Sequence, residues 1–349
     1  MAATGCWRWH WGPSLPPVTS VGVANVRFGI LVLVLWSASP QAPEPNPLLR
    51  ETAGDWRPDS LRAGFAVRYK NERTRYRVNL LTVLPRGSVR LDIEAASAAA
   101  RFNARSTAGR VEQRDQHSWV WHAPDSGGPY RIRIVETDTG DSILLNAFVL
   151  VPFERIVGEL LNGYRVGTYP ERALRGLTVY ERPRGFIEVT DGNRRTLVSP
   201  RLRLEQFLCK QPSRYPKYVV LRERLVLKLE YLLDRVNEAG YPASTFHIMS
   251  GYRTPYYNTA IGNVRYSGHV YGLAADIFVD DRPRDGVMDD LNQDGRSDVR
   301  DAQILYDLVD RQVGTASYES YLGGLGRYRR TAAHGPFVHV DVRGFKARW

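Results

Sequence analysis

Cysteine is scarce: the chain of 349 residues has two, Cys6 and Cys209, alongside three methionines. Two cysteines this far apart build no disulfide framework and no cysteine-rich metal centre, so any metal must be held by nitrogen and oxygen. Cys209 reads as a buried, small apolar residue. Apolar runs are short as well. The clearest, Phe28 to Trp36 after Arg27, falls below the roughly 20 residues that span a bilayer, and a Ser/Ala-rich stretch follows it. Residues 1–42 are therefore expected to be a signal peptide or membrane anchor, which implies export to the periplasm or cell envelope and possible N-terminal membrane association. There is no internal repeat and no low-complexity tract. The formal charge of +11 comes largely from arginines spread along the chain rather than gathered in blocks. Such a surface attracts polyanions, but without a nucleic-acid motif nucleic acid is not an expected partner.

What is present divides the chain. Residues 43–63 are rich in Pro and Ala and read as a linker. Residues 64–152 hold short alternating runs such as Phe65–Tyr69, Val89–Ile93 and Tyr130–Ile134, separated by turn signals such as Pro85-Arg86-Gly87. Period-two alternation of this kind predicts an all-β sandwich, immunoglobulin-like in pattern. Residues 153–215 form a bridging segment with strand-like pieces at Leu177–Tyr180 and Gly185–Val189. Leu221, Leu225, Leu229, Leu232 and Val236 then recur at helical steps, predicting a helix from Tyr218 to Ala239 with Gly240 at its C-terminal cap. This helix opens a last domain, 216–349.

In that domain His269 and Asp276 stand seven residues apart, and His339 lies in the alternating run Phe337–Val342. Asp276 interrupts the apolar stretch Ala274–Val279, where a lone carboxylate is costly unless paired or metal-bound. Adjacent antiparallel strands would set His339 beside Asp276, with His269 reaching in from the Gly-bounded loop before it. Two imidazoles and a carboxylate suit zinc and leave a coordination position open, the mark of a catalytic rather than a structural site.

The stretch from about Ser199 to Trp349 resembles the zinc D-alanyl-D-alanine carboxypeptidases and murein endopeptidases, kin to lysostaphin-type and hedgehog-type zinc domains. The resemblance rests on Ser250-Gly251-Tyr252-Arg253-Thr254-Pro255, on Ser-x-His-x-x-Gly-x-Ala-x-Asp at 267–276, and on Gly323-Gly324-Leu325-Gly326 leading to His339-Val340-Asp341. It implies a fold in which the sandwich is followed by an α+β zinc peptidase domain with a central antiparallel sheet. It further implies zinc held by His269, Asp276 and His339, and hydrolysis of D-amino-acid-containing bonds in peptidoglycan stem peptides or cross-links. Arg253 matches the position that holds substrate, and His334 the position of an oxyanion donor. Many relatives place a general base just before the last ligand, a His two positions or a Glu three positions ahead of it; here Phe337 and Pro336 stand at those positions, and neither takes a proton. The base is then His334 or Asp341, or a poorer one. Asp341 has two open roles, reaching the reactive water or orienting His339. The missing base also keeps a second reading open, a pseudo-peptidase that grips wall peptides without cleaving them.

Residues 290–301 match a calcium-loop pattern, with Asp290, Asn292, Asp294, Arg296 (through its carbonyl), Asp298 and Asp301 as ligands and Gly295 at the sharp turn. A structural calcium ion is expected there, with a helix leaving the loop over 298–313.

Overall fold

The computed structural model describes residues 61–349, so the expected signal segment, with Cys6, and most of the linker lie outside the described residues. The first part holds nine strands: β1 (Arg62–Tyr69), β2 (Glu72–Tyr76), β3 (Val78–Val83), β4 (Ser88–Glu94), β5 (Phe102–Ser106), β6 (Arg110–Asp115), β7 (Ser118–His122), β8 (Gly128–Glu136) and β9 (Ser142–Val149). They form two sheets, ordered β2-β1-β4-β7-β6 and β3-β9-β8-β5. Every pairing is antiparallel except that of β3 with β9. Alternate residues face a shared core of Val67, Leu91, Trp121, Ile132, Ile134, Leu145 and Ala147, as period-two patterning requires. The run Tyr76–Leu80 reads as one strand in sequence but is broken at Arg77, where the chain passes from one sheet to the other. Local bonds fix the break: Thr74 Oγ1 accepts from the Tyr76 amide at 3.0 Å, and Asn79 Nδ2 donates to the Tyr76 carbonyl at 2.7 Å.

Next come β10 (Val151–Pro152), a small hairpin of β11 (Leu160–Leu161) and β12 (Tyr164–Arg165), β13 (Gly185–Val189) and β14 (Lys217–Val219). Strands β10, β13 and β14 make a three-stranded sheet. Gly185–Val189 is a strand as its sequence suggests. Thr178–Tyr180 instead forms a 3₁₀ turn, after Arg175 and Gly176 reverse the chain at φ 52° and 70°. The stretch that reads as a bridge shares one core with the C-terminal part of the chain: Leu161, Tyr169, Phe186, Leu202 and Phe207 pack in the same cluster as Leu225, Leu229 and Ile277.

The last part contains α1 (Glu223–Glu238), β15 (Phe246–Ser250), α2 (Pro255–Ala260), β16 (Ala274–Val279), α3 (Val299–Asp310), β17 (Gly324–Tyr328), β18 (Phe337–Asp341) and β19 (Ala347–Arg348). The sheet order is β15-β16-β18-β17-β19. The helix starts at Glu223 rather than Tyr218, where its periodicity predicts, because Lys217–Val219 is drawn into β14. Glu188 and Tyr218 pair there, and the Tyr218 hydroxyl donates to Glu188 Oε2 at 2.6 Å. At the other end Gly240, at φ 87°, takes the expected cap position, and the Tyr241 amide reaches back to the Val236 carbonyl at 3.1 Å. No helix among the described residues is long and apolar enough to cross a membrane.

One buried charge in α1 carries a pH prediction. Lys228 is 0% exposed and donates to the carbonyls of Tyr321 at 3.1 Å and Asp341 at 2.7 Å. Burial pushes its pKa down to about 7. The unfolded chain keeps this proton up to about 10.4, so between these values the unfolded state binds more protons and stability rises with pH. The thermal midpoint of the wild type is expected to gain on that of Lys228→Met between pH 7 and pH 9.5. A gap independent of pH contradicts this.

Candidate metal centre

Strand β16 is buried along its whole length and carries one carboxylate, Asp276. Register sets Asp276 opposite His339 on β18 and opposite Ser250 on β15. His269 comes from the 3₁₀ turn Gly268–Tyr271, which Gly272 ends at φ 65°. A Cβ at Gly272 would stand 2.4 Å from the Val220 carbonyl oxygen, so both the left-handed backbone and the close approach require glycine.

The three side chains converge. Asp276 Oδ1 lies 3.2 Å from His269 Nε2 and 2.8 Å from His339 Nδ1, and one ligand atom from each residue falls within 4.8 Å of the other two. All three are nearly inaccessible, at 2%, 3% and 7% exposure for His269, Asp276 and His339. The outer nitrogen of each ring has its own acceptor: His269 Nδ1 meets the Gly251 carbonyl at 2.7 Å, and His339 Nε2 meets Asp341 Oδ2 at 3.3 Å. With the ring protons on those outer nitrogens, the lone pairs of His269 Nε2 and His339 Nδ1 would face the same carboxylate oxygen, as ligation of a metal requires. Three electron-pair donors facing one another in a buried space repel unless a cation joins them, so the donor set fits a divalent metal of the zinc type.

Without an ion, the imidazoles and the carboxylate pair with one another. Burial alone would raise the Asp276 carboxyl, but His269 and His339 outweigh it and hold it well below the carboxylate range. Burial lowers the His269 imidazole. It disfavours charge on His339 too, yet the bonds to Asp276 and Asp341 carry that ring upward.

Arg253 also meets the group: its Nη2 donates to Asp276 Oδ2 at 2.6 Å and its Nε to Ser250 Oγ at 2.7 Å. The guanidinium thus fixes one carboxylate oxygen and leaves the other to the imidazoles. Asp341 sits on the opposite side of the His339 ring from Asp276. Its Oδ1 accepts from the Gly324 amide at 2.8 Å, and Arg343 Nε donates to both oxygens, at 3.0 and 2.8 Å. Gly323 and Gly324 make room for it, since a Cβ at Gly324 would lie 2.4 Å from Asp341 Oδ2. His334 is not brought into the group. It stands in the loop between β17 and β18, where its Nδ1 contacts the Gly335 carbonyl at 2.8 Å and its ring meets Phe337 edge-on at 4.9 Å.

Two contacts give no signal in sequence. Trp349 lies 5.2 Å, centroid to centroid, from the His339 ring, and a Cβ on Gly326 would collide with its indole at 2.3 Å. Arg343, adjacent to a motif residue, shows its role only once Asp341 is placed.

The loop at 290–301 is organised by its own hydrogen bonds. Asp290 accepts from the Asp294 and Gly295 amides at 3.1 and 2.6 Å, and Asn292 Oδ1 from the Asp294 amide at 3.0 Å. Asp294 Oδ1 accepts from the Arg296 amide at 3.1 Å. Asp298 caps α3, and buried Asp301 accepts from the amides of Leu291, Asn292 and Asp298. Arg300 pairs with Asp294 and Asp298, both at 2.8 Å. Among the described residues, the His269, Asp276 and His339 group alone gathers three or more such side chains tightly enough for one ion. The arrangement of this loop gives no support to calcium.

Fold and side chains together give a candidate metal centre of the His/Asp/His kind. Residues 208–303 match the family model described as Peptidase M15, a zinc D-Ala-D-Ala carboxypeptidase-type family, in agreement with the resemblance carried by the motifs. The match supports a zinc peptidase acting on peptidoglycan in general. It covers His269 and Asp276 and ends before His339, which the sheet register supplies. No curated protein matches the chain.

Asp341 yields a prediction. Asp341→Asn preserves size but removes the charge that holds the His339 tautomer, and should weaken zinc affinity about 10- to 100-fold. Competition with a chromogenic chelator measures it; an unchanged affinity would separate Asp341 from the metal.

Proposed function

We propose that the chain hydrolyses D-amino-acid-containing peptide bonds of peptidoglycan, as a DD-carboxypeptidase or murein endopeptidase, with zinc held by His269, Asp276 and His339. The observation that carries this reading is the convergence of two imidazole nitrogens and one carboxylate oxygen within 4.8 Å of one another, with the Gly251 carbonyl and Asp341 placed at the other nitrogen of each ring. Zinc in such a site supplies Lewis-acid polarisation of a carbonyl and acidification of water. The chain's own residues do the rest. Arg253 holds the Asp276 carboxylate in place, Gly251 and Asp341 set the two rings, and the apolar strands around Asp276 lower the local dielectric and strengthen each of these interactions. Asp341 acts as a positioning residue, because its oxygens are engaged by Arg343, Gly324 and His339 on the far side of the ring.

Mass spectrometry of purified muropeptides incubated with the zinc-loaded protein tests the proposal. Loss of a D-alanine, or resolution of a cross-link, abolished by chelation and restored by zinc, is the expected result. One observation favours a second reading, a wall-peptide-binding pseudo-peptidase: Phe337, where relatives carry a base, stacks on Tyr328 at 4.5 Å and offers no proton acceptor. Zinc-dependent muropeptide binding with no turnover would establish that reading. We further infer that the two-sheet unit is immunoglobulin-like, since β1-β4-β7-β6 faces β3-β9-β8-β5 with the first strands divided between the sheets. Export and possible membrane association through the N-terminal segment belong to this proposal.

A further inference from the structure

We propose that Lys210 recognises a carboxylate of the substrate peptide beside the metal group, and so sets a preference for peptides that end in a free carboxylate. The inference rests on the peptidase reading above.

Two stretches of chain run side by side next to the site. The Phe207 carbonyl accepts from the Tyr252 amide at 2.9 Å, and Thr254 Oγ1 donates to Gln211 Oε1 at 2.5 Å. Gly251 permits this contact, because a Cβ there would stand 2.6 Å from Phe207 Cα. On one stretch Tyr252 and Thr254 turn into the core, at 2% and 0% exposure; on the other, Cys209 and Gln211 do so, at 2% and 4%. The residue between each pair is turned the opposite way. On the first stretch that residue is Arg253, which reaches Asp276 Oδ2. On the second it is Lys210, which is exposed.

The two cations differ in what they have left to offer. Arg253 is committed to Asp276 and Ser250. Lys210 has no hydrogen-bond or ion-pair partner among the described residues, although the charges of Arg253 and Asp276 both reach it. Partial burial, for the side chain is only in part open to solvent, and then the neighbouring guanidinium pull its pKa below the ordinary lysine value, and Asp276 offsets part of that. An ammonium open to solvent on the same face as Arg253, with no protein carboxylate bonded to it, is free to take an incoming anion. Stem peptides carry that anion as carboxylate, and an ammonium-carboxylate hydrogen bond is of the stronger, charge-assisted kind.

Kinetics of the zinc-loaded full chain on an acetylated tripeptide ending in D-Ala-D-Ala, and on its C-terminal amide, tests this. The wild type is expected to favour the carboxylate form. Lys210→Met should raise KM for that form about 10- to 100-fold, leave kcat and the amide's KM nearly unchanged, and be largely rescued by Lys210→Arg. A preference that survives Lys210→Met, or a wild type with no preference, overturns the inference. Should the wild type cleave neither peptide, the peptidase reading fails on its own account. Calorimetric binding of the same two peptides then decides: tighter binding of the carboxylate form, lost in Lys210→Met, upholds Lys210, and equal or absent binding rejects it.

Discussion

Replacing His339 by Ala is expected to lower the proposed peptidase activity by at least about 10³-fold, the size that follows when several kcal/mol of metal-supplied charge stabilisation are lost. His339 joins two parts of the site. Its Nδ1 faces the Asp276 oxygen and its Nε2 faces Asp341, so its removal deletes one ligand and strands a buried carboxylate that the ring had partnered. Zinc content after dialysis should fall from near one per chain to near zero. Metal analysis and steady-state kinetics on the same preparation check both halves. Retention of zinc with normal turnover would show that the ion is held elsewhere. Asp276 and His339 are central to one sheet, so circular dichroism must accompany these measurements to show that the fold persists.

The second large effect concerns stability. Glu230 is 0% exposed in the middle of α1 and accepts from Ser199 Oγ at 2.6 Å and from Arg201 Nε at 2.5 Å. Arg201 also pairs with Asp234, which in turn accepts from the Tyr76 hydroxyl at 2.7 Å and pairs with Arg62. Glu230→Ala leaves Arg201, largely buried, with Asp234 as its one remaining carboxylate partner. Breaking a buried pair from one side costs about 3–5 kcal/mol, so a drop of that size in the denaturation free energy is expected, by urea unfolding monitored through tryptophan fluorescence. A change below about 1 kcal/mol, the range of surface ion pairs, would mean that Asp234 or water is enough for Arg201. Because the network ends on Tyr76 and Arg62, the variant should also loosen the seam between the two-sheet unit and α1.

This network shows where sequence reading stops. Alternation gave the strands around Val89, Tyr130 and Phe337 because each buries one face, and three-to-four spacing gave α1 for the same reason. The metal group was legible because ligand-type residues interrupt apolar strands, where only a partner or an ion makes them tolerable. The start of α1 was not legible: Tyr218-Val219 suits helix or strand, and pairing with the distant Glu188 decided the outcome. Ser199, Arg201 and Glu230 are ordinary in sequence and acquire meaning only when the segment after β9 folds against α1. The two roles open for Asp341 differ by which side of one imidazole it occupies, and that is a property of strand register and of Gly323-Gly324, not of composition. The calcium pattern at 290–301 was legible by spacing alone, and the loop's oxygens accept from its own backbone amides and from Arg300, with no support for an ion beyond the pattern.

Crystals soaked in zinc and measured at the zinc absorption edge test the central claim most directly. One anomalous peak is expected about 2.0–2.2 Å from His269 Nε2, His339 Nδ1 and an Asp276 carboxylate oxygen, with Asp341 still bonded to His339 Nε2. A peak bound through His339 Nε2, or one lying away from these three side chains, would contradict it.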